Sequence, residues 1–269
     1  PPDIGKRITL QHFGQTCVSN RVCGMCGQPD NERHRVNDLD YCTWLAQLLK
    51  YDTLDGLFLA DVIGAYDSFG QWPRAALEEA MQIPSNDPLL LIPAMAQVTR
   101  HLGFGATFST TYEPPFAFAR RMSTLDHLTR GRVGWNIVTS YLPNAARNFG
   151  LPDEVPHDHR YGIADEFMDV LYKLWEGSWD DDAVIRDRDR QAYTDPDKVR
   201  AGNHEGACCK VAGRHLCQPS PQRTTVLFPA SRSPARPEFA ARHAAVGFTG
   251  RLTAHDGRRN VCSPPAVVM

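Results

Sequence analysis

His101-Leu-Gly-Phe-Gly-Ala-Thr-Phe-Ser-Thr110 and Gly131-Arg-Val-Gly-Trp-Asn-Ile-Val-Thr-Ser140 are two apolar runs of strand length that contain glycine and end in small hydroxyl residues. Both have the near-continuous hydrophobicity of strands buried on two faces. Between them, Phe116 to Thr129 sets Phe118, Met122, Leu125 and Leu128 three and four residues apart, the stripe of an amphipathic helix, and Gly131 follows as a stop. Strand, helical crossover and strand make a βαβ unit, the building block of a parallel sheet. Ligands of such sheets lie beyond the carboxyl ends of the strands, which puts Thr107–Thr111 and Asn136–Ser140 at the functional rim.

Working outward, Arg7–Leu10 is placed to be a first strand, followed by a polar loop over 14–37. Asn37 and Asp38 then cap a helix with the stripe Leu39, Cys42, Leu45, Ala46 and Leu49. Gly56–Ala60 reads as the second strand, ending on Asp61, where an unpaired charge is costly. On its residues alone Asp61 is more readily a capping or ion-paired acid than a ligand contact. The long loop over 64–86 has the length of a lid or substrate segment, and Asp87-Pro88 opens a further helix through Leu91, Met95 and Val98.

Beyond the central unit, the connection 141–160 gathers Arg147, His157, Asp158, His159 and Arg160, and a helix is expected from Ala164 to Glu176. Residues 180–222 read as an excursion, charged and solvated over 180–191, with a short hairpin within 204–216. Thr225–Phe228 and Ala245–Phe248 are candidate fifth and sixth strands around a helix at 238–244, and 251–269 reads as an irregular tail. The expectation is one α/β domain over 1–250 of the (β/α)8 barrel type, incomplete, with about six of the eight strands.

Composition narrows the function classes. A chain of 269 residues suits one large domain, and its net charge of −2 has no basic patch, so no nucleic-acid partner is expected. No apolar run approaches the roughly 20 residues that span a bilayer, and the first residues lack a signal-peptide core, so a cytoplasmic protein without a membrane partner is expected. The eight cysteines then read as reduced thiols. Cys23-Gly-Met-Cys26 has ligand spacing, but Cys208, Cys209 and Cys217 supply no second knuckle, so no metal is expected. Neither a GxGxxG fingerprint nor a P-loop is present.

Leu125-Asp-His-Leu-Thr-Arg-Gly-Arg-Val-Gly-Trp-Asn-Ile-Val-Thr-Ser140 and Ala145-Ala-Arg-Asn-Phe-Gly150 resemble the bacterial-luciferase-like flavin monooxygenases. The resemblance extends through Asp55–Asp61, Asn86-Asp-Pro88, His157–Tyr161, Ala164-Asp-Glu166, Lys173–Glu176 and Pro219–Thr224. It is strongest to the branch that holds the oxygenase components of nitrilotriacetate monooxygenase, dibenzothiophene sulfone monooxygenase and pristinamycin synthase. It implies a TIM-type barrel and a two-component system. A separate NAD(P)H-dependent flavin reductase would supply reduced FMN, and O2 would oxygenate a small organic substrate, often beside nitrogen or sulfur. It also implies homo-oligomers paired through barrel helices.

Carried over by motif, Asp61, Thr107, His157 and Tyr161 fall on positions that contact FMN, Ser233 falls on the position that meets its phosphate, and His157 is the candidate proton-handling catalytic residue. Read singly, without the family, His157 is more often a loop histidine with one hydrogen bond, Tyr161 a half-buried helix-start residue and Thr107 a strand hydroxyl bonded to backbone. The phosphate loop departs from the family's Gln-Ala-Gly-x-Ser-x-x-Gly. Here it runs Pro229-Ala-Ser-Arg-Ser-Pro-Ala-Arg-Pro237, with Ser231 and Arg236 at the glycine positions. Loss of glycine where positive φ is needed costs about 1–3 kcal/mol, which Arg232 or Arg236 would partly offset by pairing with phosphate. Two alternatives follow: a truncated, catalytically inactive paralogue, or a flavin-binding protein without oxygenase activity.

Overall fold

The computed structural model describes residues 9–20, 22, 24–51, 54–67, 73–229, 239, 242–243, 247–248 and 266–267. In chain order the elements begin with β1 (Gln11–Gln15), α1 (Leu39–Tyr51), β2 (Gly56–Ala60), α2 (Arg74–Glu78), α3 (Ile92–Gln97) and β3 (Gly103–Ser109). They continue with α4 (Pro115–Thr129), β4 (Val133–Val138), α5 (Pro143–Asn148) and α6 (His157–Trp175). Four short strands follow, β5 (Val184–Asp187), β6 (Ala192–Thr194), β7 (His204–Glu205) and β8 (Lys210–Val211). The last are β9 (Val226–Pro229), β10 (Gly247–Phe248) and β11 (Ala266–Val267). Two compact units result, one of residues 1–108, 132–155 and 226–269, the other of 109–131 and 156–225.

The first unit is built on a sheet in the order β1-β2-β3-β4-β9, with parallel pairing at β1–β2, β2–β3 and β4–β9. This is the α/β architecture with a parallel sheet that the apolar runs predict. One face carries Leu57, Leu59, Phe104, Ala106, Phe108, Val133, Trp135 and Ile137, all buried. The opposite face holds a layer of rings. Phe13 stacks on Phe58 at 5.8 Å, and Phe58 meets Phe228 edge-on at 6.2 Å. Space for those rings comes from Gly105 and Gly134. A Cβ on Gly105 would lie 3.0 Å from Phe58, and one on Gly134 would lie 2.5 Å from Phe228 and 3.0 Å from the Val226 carbonyl oxygen.

In the second unit α4 packs on α6 through Phe118 and Phe167, 5.6 Å apart, and Trp175 donates its indole N–H to the Ala119 carbonyl at 3.2 Å. Phe118, Met122 and Leu125 are buried as the stripe predicts, whereas Leu128 is exposed and Thr129 takes the inward position. The period of 3.6 places residue 129, rather than 128, on that face. Arg130 and Gly131, both at positive φ, end the helix, and the Gly131 N–H returns to the Asp126 carbonyl at 3.0 Å.

Several boundaries differ from the sequence reading. The first strand among the described residues is Gln11–Gln15, just after the expected Arg7–Leu10, of which Arg7 and Ile8 lie outside the described residues. Its alternating, polar composition lacks the apolar run used to recognise the inner strands. The 14–37 segment contains the end of β1 and short 3-10 turns, and the 64–86 and 141–160 segments contain α2 and α5. The 180–191 segment holds β5 and the loop to β6, an antiparallel pair, and β7–β8 is the expected hairpin. Of the expected sixth strand, Gly247 and Phe248 pair in parallel with Ala266 and Val267 as a separate hydrogen-bonded pair, and Ala245 and Val246 lie outside the described residues. Among the described residues the main sheet therefore has five strands. No helix among them is long and apolar enough to cross a membrane.

Gly134→Ala is expected to destabilise the first unit by about 1–3 kcal/mol, since the new methyl meets both a ring and a backbone oxygen. Urea unfolding measures this, and adding Phe228→Leu should recover part of the loss. An undiminished unfolding midpoint in the single variant would contradict the packing described.

Candidate functional site

Side chains on one strand face recur every second residue, so the layer above the rings is set by register. Phe13 lies opposite Phe58 and Phe58 opposite Gly105. Two residues on, toward the carboxyl ends, come Gln15, Ala60 and Thr107, with Asn136 two residues beyond Gly134. Asn136 donates its amide to the Thr107 hydroxyl at 2.9 Å, and both residues are buried. Asn136 Oδ1 and Gln15 Nε2 are buried without a partner among the described residues. A buried amide group without a hydrogen bond costs about 1–3 kcal/mol. Unpartnered polar groups at the carboxyl end of a parallel sheet, above apolar rings, suit a planar ligand with a polar edge.

Loops from two sides frame that rim. Gln82 donates to the Gln15 side-chain oxygen at 2.9 Å and to Asn20 at 3.0 Å, while Arg33 donates to the Gln15 carbonyl at 2.7 Å. The segment after β1 is further tied to 80–86 by Ser19 N–H to Ala80 O at 3.1 Å, Gln82 N–H to Ser19 O at 2.8 Å and Asn86 N–H to Thr16 O at 3.0 Å. On the other side, the segment after β2 is joined to the one after β4. The Ala65 N–H donates to Asn144 Oδ1 at 2.9 Å, the Tyr66 and Tyr141 hydroxyls meet at 2.6 Å, and Arg147 pairs with Asp67 at 2.5 Å. Gly64, at φ 139°, fits against Ala145, where an added Cβ would approach to 3.0 Å.

Asp61, one residue past β2, is half-buried. Burial pushes its carboxyl up to about 6, with Asp87 adding to the rise and the Val62 N–H opposing it. The carboxyl thus titrates close to neutral pH in a rim position. Burial also raises the Cys17 thiol, with Asp61 contributing to the same direction.

The structure brings Thr107 together with Asn136, which sequence reasoning marks by position alone, and adds Gln15 and Gln82, which it misses. Gln15 is hidden because the apolar pattern puts the first strand too early in the chain. His157 and Tyr161 belong to the first turns of α6 rather than to a loop. The exposed polar residues 157–159 conceal a helix whose start follows Pro156. His157 is exposed, bonds Asp158 through Nδ1 at 2.8 Å, and its ring lies 5.7 Å from that of Tyr161. Ser233 and the rest of the altered phosphate loop from Ala230 to Pro237 lie outside the described residues.

A family model described as luciferase-like monooxygenase matches residues 21–261. Over 245 residues the chain is 56% identical to the long-chain alkane monooxygenase of Geobacillus thermodenitrificans (strain NG80-2), covering 91% of this chain and 56% of that protein. It is 51% identical over 243 residues to the dimethyl-sulfide monooxygenase of Hyphomicrobium sulfonivorans, 90% of this chain and 51% of that one. A crystal structure of riboflavin lyase with modified FMN and the substrate riboflavin matches with a TM-score of 0.89 at 38% identity, covering 96% of this chain and 57% of that chain. The chain spans about half the length of the curated relatives it matches.

The Asp61 value of about 6 lies above the ordinary 3.8 that the unfolded chain keeps. The folded protein therefore holds this proton longer, and the stability it gives is full below pH 3.8 and lost as pH rises to about 6. Asp61→Asn should remove that slope and raise stability at neutral pH by about 2–3 kcal/mol. Urea unfolding across this pH range measures it, and a slope that survives the substitution would assign the titration to another group.

Proposed function

Because the chain belongs to the luciferase-like monooxygenase family, we propose that it binds FMN at the rim of its parallel sheet and serves an FMN-dependent monooxygenase reaction of the two-component kind. Reduced FMN, delivered by a separate NAD(P)H-dependent flavin reductase, supplies the electrons that activate O2 when it is bound. The substrate is a small organic compound. The relatives at 56% and 51% identity are named for an alkane and for dimethyl sulfide, which favours an uncharged, apolar substrate class.

The single observation that carries this reading is the presence of buried, unpartnered amide atoms at the carboxyl end of the sheet: Gln15 Nε2 on β1, and on β4 the Oδ1 of Asn136, whose amide nitrogen bonds the Thr107 hydroxyl. They fit the polar edge of an isoalloxazine ring, which offers both donors and acceptors. The rings of Phe58 and Phe228, both buried, and of Phe13 stacked on Phe58, supply apolar cover for a planar ligand. Asp61, with its carboxyl near neutrality, either holds or accepts a proton at the rim. His157 and Tyr161 are proposed as further flavin contacts, His157 as the residue that handles a proton during turnover. Ser233 is proposed to meet the phosphate.

A second reading, retention of the fold without flavin chemistry, is favoured by one observation: Ser231 and Arg236 replace both glycines of the family's phosphate loop. The two readings separate on flavin affinity. Anaerobic titration of the 269-residue chain with photoreduced FMN is expected to give saturable binding. Thr107→Val and Asn136→Leu should each weaken it about tenfold, the equivalent of one lost hydrogen bond. His157→Asn should weaken flavin binding as well, and lower oxygenation of an alkane or alkyl sulfide by more than the loss of flavin affinity accounts for. Absence of binding by the folded chain would sink the first reading and leave the second.

A further inference from the structure

The second unit brings three potential metal ligands of different chemistry to one point. Glu166 sits midway along α6, and His204 and Cys209 lie on either side of the tight β7–β8 turn, closed by the Gly206 N–H on the Cys209 carbonyl at 3.0 Å. Glu166 Oε1 lies 3.3 Å from His204 Nε2 and 3.4 Å from Cys209 Sγ. All three ligand atoms fall within 4.8 Å of one another. The side chains of His204 and Glu166 are only 9% and 14% exposed, so a cation here would be largely out of water.

We propose that Glu166, His204 and Cys209 form a binding site for a borderline-soft divalent cation, zinc in the first instance, with water as the fourth ligand. Zinc bonds of about 2.0–2.1 Å to nitrogen and oxygen and about 2.3 Å to sulfur give tetrahedral edges of about 3.3–3.6 Å. The edges from Glu166 to His204 and to Cys209 already have that length, and the third closes with a small side-chain rotation. The carboxylate is fixed for the purpose, because it also accepts the N–H groups of Cys208 at 2.9 Å and Cys209 at 2.8 Å. One carboxylate and one thiolate neutralise a dication, leaving the pocket without net charge.

Binding exchanges protons in a defined way. The Cys209 thiol loses its proton to solvent as the metal–sulfur bond forms. The imidazole keeps its proton but carries it on Nδ1, leaving the Nε2 lone pair for the cation. Nδ1 now faces the Lys173 ammonium at 3.1 Å. In the bound state both groups would be donors, so the exposed Lys173 side chain swings outward. Lys173 therefore opposes binding, and an acceptor in its place should favour it.

Cobalt(II) is the probe, added to the 269-residue chain after removal of metals with a chelator. One equivalent should give the visible bands of a tetrahedral ion and a thiolate-to-cobalt charge-transfer band, both displaced by zinc. Cys209→Ala leaves the backbone bonds to Glu166 intact, and should abolish the charge-transfer band and weaken zinc by more than the roughly tenfold to hundredfold that loss of an outer partner costs. Cys208→Ser should retain the band, and Lys173→Gln should tighten zinc about tenfold. Far-ultraviolet circular dichroism guards against misfolding of any variant. Failure of the chain to bind cobalt, a band that survives in Cys209→Ala, or one lost in Cys208→Ser would each overturn the assignment.

Discussion

The rings of Phe58 and Phe228 lie over Gly105 and Gly134, where a side chain on either inner strand would collide with them. That mutual fit sets the height of everything above it. A larger residue on β3 or β4 would lift the rings toward the carboxyl ends, into the layer where Thr107 bonds Asn136. Interiors are too densely packed to absorb such a shift without transmitting it. The polar rim is therefore as accurate as the apolar layer beneath it, and the two glycines contribute to the site although neither reaches it.

Much of this arrangement is legible from the chain itself. β2, β3 and β4 are short apolar runs because inner parallel strands are covered on both sides, and α4 shows its stripe because one face packs and the other does not. The rest is obscured for identifiable reasons. β1 has one neighbour in the described sheet, and its polar Gln11, His12 and Gln15 resemble a loop. The start of α6 carries exposed His157, Asp158 and His159, which conceal a helix within a polar run. The rim residues are partly readable: Asp61 and Thr107 follow from strand ends and family motif, but the placing of Gln15 and Asn136 on the same rim depends on register across four strands, which local spacing does not encode.

The same limit explains the second cluster. Knuckle spacing reveals only metal sites whose ligands are close in sequence, and here it draws the eye to Cys23-Gly-Met-Cys26, which has no second knuckle. Glu166 and His204 are 38 residues apart and meet only because a hairpin folds back onto a helix. Cys209 reaches the same carboxylate from the far side of the turn. Such a constellation has no linear signature. Its members are recognised by the distances between unlike donor atoms and by the protons that already occupy the shared oxygen.

The segments after β2 and β4 are joined by the Ala65–Asn144 bond, the tyrosine pair and the Asp67–Arg147 ion pair. Segments fastened at three places share one history of substitution. A new residue at 67 leaves Arg147 without its counter-charge, and a bulkier one at 145 displaces Gly64. Divergence in this part of the rim must therefore proceed by paired exchanges, so related chains should differ there in matched sets rather than one residue at a time.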